Sequence, residues 1–185
     1  MSERRPAIDL SDKVALITGA GSGIGRATAV RMADAGAAVM CADIDADGAK
    51  QTSESINAEG GRAASIQLDV TDEVAFEKSL HQTIDSLGGF DILFNNAGVG
   101  SADYDLTLAV NQNGVYYGLL HGAALLAERG GGAIVNTASI AGLQGLVSPL
   151  MNLPGADVAG MVEGGGLAYI ASKHAVVGMT RQFAI

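Results

Sequence analysis

The stretch that most limits how this chain can fold is Thr18-Gly19-Ala20-Gly21-Ser22-Gly23-Ile24-Gly25. It follows the apolar run Lys13-Val14-Ala15-Leu16-Ile17 and opens an Ala-rich helical pattern from Arg26 onward, so its plain reading is strand, glycine turn, helix. Glycines let a backbone approach an anion closely, and the first turn of the following helix offers unpaired N–H groups and the positive end of its dipole. Such a turn holds a pyrophosphate. The strict G-x-G-x-x-G spacing is absent, because its last glycine would fall at Arg26; what stands is T-G-x-x-x-G-I-G. By itself the cluster reads equally well as an ordinary glycine-rich turn. A mononucleotide P-loop is excluded, since no Gly-Lys-Ser/Thr follows.

The rest of the chain decides between these readings. Gly36 ends the helix, and Ala37 to Asp43 is a second apolar run. Asp43 lies 18 residues beyond Gly25, close to the spacing at which an acidic group meets the adenosine ribose of a dinucleotide. A helix over Ala46 to Ala58 leads to a third strand from Arg62 to Val70, and Thr71 or Asp72 can cap the next helix, which runs to about Leu87. Phe90 to Phe94 is a fourth strand delivering Asn95-Asn96-Ala97-Gly98, Ala109 to about Glu128 a long helix, and Ala133 to Thr137 a fifth strand leading to Ser139. Residues 142–166 read as a loop, and Leu167 to Ile185 as a helix. Apolar strands alternating with helices predict an α/β fold, a doubly wound parallel sheet of Rossmann type with ligands at the carboxyl ends of its strands.

Composition narrows the function classes. At 185 residues, 48% hydrophobic and 17% charged, the chain suits one domain with a buried sheet. A net charge of −9, with eleven scattered basic residues, argues against nucleic acid or an anionic membrane as partner. No apolar run approaches a membrane span, residues 1–12 lack the apolar core of a signal peptide, and a cytoplasmic location is the default expectation. The single Cys41 sits in an apolar strand and reads as a buried thiol, and no metal site is expected. His81, His121 and His174 read as structural or surface residues, and Tyr104, Tyr116 and Tyr117 as packing residues.

From about Asp12 to Ile185 the chain resembles the short-chain dehydrogenase/reductase family. Five motifs in order carry the likeness: Thr18 to Gly25, Asp69-Val70, Asn95-Asn96-Ala97-Gly98, Ser139 after Val135-Asn136-Thr137-Ala138, and Tyr169-Ile170-Ala171-Ser172-Lys173. Tyr169 and Lys173 are four apart on a helix and share one face, and an ammonium beside a phenol favours the phenolate. The resemblance implies that Tyr169 exchanges a proton with the substrate oxygen and Lys173 hydrogen-bonds the nicotinamide ribose. It further implies that Ser139 polarises the reacting carbonyl and that Asn111 holds a proton-relay water. The implied cofactor is NAD: Gly19, Gly21, Ser22, Gly23 and Ile24 would hold the pyrophosphate. Asp43 would accept from the ribose hydroxyls while repelling a 2′-phosphate, Asp69 and Val70 would border the adenine, and Asn96, Ala97 and Gly98 would line the ribose side. The implied function is hydride transfer between NAD(H) and a secondary alcohol or ketone, by a homodimer or homotetramer. The alternatives are an NAD-binding form without turnover, and a non-redox relative such as an epimerase or dehydratase.

Three departures from the family pattern set further expectations. The segment from Val99 to Tyr104 is short, and 29 residues separate Ser139 from Tyr169, so residues 143–166 read as an inserted loop over the substrate site. Family members continue beyond the position of Ile185, so the expected sheet lacks the usual C-terminal strands. The fifth strand becomes an exposed edge, and the chain is either a fragment or covered there by partner subunits.

Overall fold

The computed structural model describes residues 8–144, 160 and 166–184. Among these, five parallel strands form one sheet: β1 (Val14–Thr18), β2 (Ala38–Asp43), β3 (Arg62–Gln67), β4 (Ile92–Asn95) and β5 (Ala133–Asn136), in the order β3-β2-β1-β4-β5. Helix α1 (Gly23–Asp34) links β1 to β2, α2 (Ala46–Ala58) links β2 to β3, and α3 (Glu73–Leu87) links β3 to β4. The chain then runs through α4 (Tyr104–Leu108), a π-helical turn (Ala109–Asn113) and α5 (Gly114–Glu128) into β5, a 3₁₀ turn (Ile140–Gly142) and α6 (Leu167–Phe183). The order reverses at β1, so β1 and β4 flank the point where a doubly wound sheet opens its ligand crevice.

Period-two alternation divides the central strands between two cores. Leu16, Met40 and Leu93 face Phe76 and Leu80 of α3 and Leu126 of α5. Ile17, Val39, Cys41 and Phe94 face Ala29 of α1 and Ala49 and Ile56 of α2, where alanines let the helices lie close. A smaller cluster of Val115, Leu119 and Val176 seats α6 against α5. The edge strands are wetter, and Val135 of β5 is 49% exposed.

Strand and helix order match the sequence reading, while several boundaries differ for local reasons. Helix α1 begins at Gly23, inside the glycine turn, so the anion-facing N-terminus lies within the motif. Strand β3 ends at Gln67, which places Asp69-Val70 beyond it at the crevice. The helix expected to begin at Ala109 starts five residues earlier: the Asp103 side chain accepts from Leu106 N at 3.0 Å and caps α4. Asp72 caps α3 by accepting from Ala75 N at 2.9 Å, and Gly88, at φ 76°, ends it in the left-handed conformation. Tyr117 packs against the core and Tyr116, 44% exposed, packs its ring on Tyr117, whereas Tyr104 is 54% exposed and does not pack as expected. Of the expected inserted loop over 143–166, only residues 143, 144, 160 and 166 lie among the described residues.

Candidate active site

The glycine turn is held from below. Its first residue, Gly19, has φ 69° and carries no room for a side chain, since a Cβ there would meet the Ala97 backbone at 3.0 Å. Thr52 of α2 donates to Ala20 O at 2.9 Å, and Arg26 donates to Gly21 O and to Thr52 Oγ1. Arg26, which breaks the strict glycine spacing, is thus a brace beneath the turn. Ser22, the N-cap of α1, makes no side-chain capping hydrogen bond, which leaves the first N–H groups of α1 to an outside acceptor.

Asp43 ends β2 beside this turn. Its Oδ2 accepts from Gly21 N at 2.7 Å and its Oδ1 from Asp45 N at 3.0 Å. A Cβ at position 21 would come within 2.8 Å of that Oδ2, so the close approach requires glycine there. On the far side of β1, Asn96 N and Ala97 N both donate to Thr18 Oγ1 at 3.0 Å, tying the end of β4 to the start of the turn.

Helix α6 brings up the remaining groups. Tyr169 and Lys173 are one turn apart, with Lys173 Nζ 5.7 Å from the Tyr169 ring centroid. Lys173 is 3% exposed and its Nζ donates to Thr137 O at 2.7 Å; burial lowers its pKa from the ordinary lysine value. Asn111, in the π-helical turn and fully buried, accepts from Val99 N at 2.7 Å and donates to Val99 O at 2.9 Å and to Ser172 Oγ at 3.3 Å. Its side chain clamps the backbone after Asn95-Asn96-Ala97-Gly98 to α6. Ser139 caps the 3₁₀ turn, accepting from Ala141 N at 3.2 Å, which leaves its own proton to donate elsewhere.

A cavity of about 750 Å³ runs along these strand ends. Gly19, Ser22, Gly23, Ile24, Asp43, Asp69, Val70, Asn96, Ala97, Gly98, Tyr169 and Lys173 all line it, so twelve of the residues singled out in the sequence converge on one space. Gly21, Asn111 and Ser139 do not line it. Leu68, Val99, Leu106 and Val110 line it without having been singled out, and so does Thr137, which the sequence placed in the stretch before Ser139 without a site role. Apolar strand-end and helix residues carry no motif, and they reach the cavity only through the fold. The histidines line no part of it: His121 sits at 3.1 Å from Glu73, bridging α5 and α3, and His174 Nδ1 lies 3.0 Å from Ile170 O. No cluster of three or more metal-ligating side chains occurs among the described residues.

Sheet order, glycine turn and cavity together define a doubly wound α/β protein with a cleft of nucleotide size at its switch point. Residues 13–150 match the family model described as short chain dehydrogenase. Levodione reductase of Leifsonia aquatica is 33% identical, covering 97% of this chain and 66% of its own. Cyclohexanol dehydrogenase of Acinetobacter sp. (strain SE19) is 35% identical, covering 95% and 67%. A short chain dehydrogenase/reductase from Burkholderia phymatum, solved in complex with NAD, superposes with a TM-score of 0.77 at 32% identity, covering 95% of this chain and 60% of its own. The chain belongs to the short-chain dehydrogenase/reductase family. It spans about two thirds of the length of the curated relatives it matches.

Proposed function

We propose that the protein is an NAD-dependent oxidoreductase interconverting a secondary alcohol and a ketone, with Tyr169 as general acid/base. The observation that carries this reading is that Tyr169 and Lys173 share one cavity with the glycine turn and Asp43. Three strand spacings separate the ends of β2 and β5 in the sheet order, about 14 Å, a span suited to a dinucleotide. The uncapped N–H groups of α1 and the open space at Gly23 fit a pyrophosphate, and the solved relative from Burkholderia phymatum holds NAD. Bound NAD would supply the hydride chemistry.

The chain's own residues would do the rest. The glycine turn receives the pyrophosphate, and Asp43 accepts from the adenosine ribose while excluding a 2′-phosphate by charge. Lys173 places its ammonium at the nicotinamide-side ribose. Tyr169 Oη gives a proton to the substrate oxygen in reduction and takes it in oxidation. Ser139 donates its remaining proton to the same oxygen, and Asn111 fixes the backbone at Val99 that walls the site. A small neutral alcohol or ketone is the substrate class, in keeping with the relatives named levodione reductase and cyclohexanol dehydrogenase.

Tyr169→Phe tests the assignment. Turnover should fall by about 10²–10⁴-fold, the usual worth of a general acid/base, while NADH binding stays within a few fold of wild type. Undiminished turnover would sink the mechanism. NAD⁺ bound by the wild type with no coenzyme absorbance change across a panel of alcohols would favour binding without turnover.

A further inference from the structure

Lys173 is held by a residue to which the sequence reading gave no role of its own. Thr137 follows β5 directly and is fixed at three atoms: its N–H donates to Asn95 O at 2.9 Å, its Oγ1 donates to Asn96 Oδ1 at 3.2 Å, and its O accepts from Lys173 Nζ at 2.7 Å. Asn96 is itself fixed, donating through Nδ2 to Thr18 O at 3.1 Å and through its backbone N to Thr18 Oγ1 at 3.0 Å. Its carboxamide lies against two glycines, since a Cβ at Gly19 or Gly25 would come within 3.0 or 2.8 Å of Nδ2. One line of hydrogen bonds therefore runs Thr18, Asn96, Thr137, Lys173, from the residue that opens the glycine turn to the ammonium in the cavity.

The physical need for such a line is plain. A lysine side chain has many rotamers to lose, and a buried ammonium requires an acceptor that stays in place. Thr137 O is that acceptor, yet β5 is an edge strand among the described residues, laddered on one side only. The Thr137 hydroxyl supplies the missing restraint by anchoring its residue to Asn96. We propose that Thr137 is a positioning residue: its hydroxyl, bonded to Asn96, aims its own carbonyl at Lys173 and so places the ammonium for the nicotinamide-side ribose of the coenzyme. This rests on the NAD reading of the cavity given above.

Thr137→Val removes the hydroxyl at nearly constant shape. NADH affinity is read from the coenzyme's own fluorescence, and AMP, which carries only the adenosine half, by competition. Thr137→Val should weaken NADH about fivefold, the worth of one lost hydrogen bond, leave AMP unchanged, and Thr137→Ser should return NADH to wild-type affinity. Unchanged NADH binding in Thr137→Val, equal weakening of both nucleotides, or a Ser variant as weak as the Val variant overturns the proposal. If Thr137→Val does not fold, Thr137→Ala against Thr137→Ser gives the same comparison, with Ala weak and Ser restored in support, and no difference against it. A wild-type protein that binds neither nucleotide overturns the NAD reading itself, and that failure shows before any variant is made.

Discussion

Asp43 has two duties that pull on the same carboxylate. It locks the glycine turn through Gly21 N and Asp45 N, and in the proposed reading it also meets the adenosine ribose. Asp43→Ser should therefore weaken NADH by about tenfold or more, as expected for hydrogen bonds to a charged group, while removing the repulsion that excludes NADPH. Parallel titrations of NADH and NADPH check this, and equal weakening of both would mean that Asp43 serves the turn alone. Asp43 was legible in the sequence because its distance from the turn follows from one βαβ unit. Thr137 was not, because its role depends on a backbone carbonyl, which every residue has, and on a strand order that no local pattern states. Arg26 looked like a defect in a motif until its guanidinium was seen beneath the turn, bonded to Gly21 O and Thr52.

Between elements, the tightest fit lies where α5 crosses β4. A Cβ at Gly118 would overlap the Asn95 carboxamide, whose Nδ2 donates to Asn136 Oδ1 at 2.9 Å; Asn136 Nδ2 in turn donates to Thr180 Oγ1 of α6 at 2.9 Å. Asn95 Oδ1 has no hydrogen-bond partner among the described residues, and turning the carboxamide would break the Nδ2 bond to Asn136. On helix propensity alone Gly118→Ala should stabilise α5 by about 1 kcal/mol. Here the overlap should win, and the variant should lose about 1–3 kcal/mol, seen as a fall of several degrees in Tm by circular dichroism. An unchanged or raised Tm would show that the carboxamide has room to move. Helix α4 teaches the same lesson about boundaries. The Asp103 cap was present in the sequence, but the apolar pattern from Ala109 onward is stronger, and the π-helical turn in between blurs the period.

Across the whole molecule, Cys41 reports on the core. It lies on β2 with no exposed surface, and burial pushes its thiol up to about 12, so the native state offers no reactive thiolate. Alkylation in rising urea should follow the loss of helical circular dichroism, because β2 is hydrogen-bonded on both sides, to β1 and β3, and opens only with the sheet. Labelling well below that transition would contradict the placement of β2 in the globally protected core. The sequence by itself determined the alternation of strands and helices, the glycine turn with Asp43 beside it, and the Tyr169–Lys173 pair. Each of these is written in spacing along one strand, one turn or one helix. Only the tertiary structure decided that twelve of the residues singled out in the sequence line one cavity while Ser139 and Asn111 do not. It also decided that Thr137 holds Lys173, because those relations depend on strand order and on the hydrogen bonds by which α6 meets the end of β5.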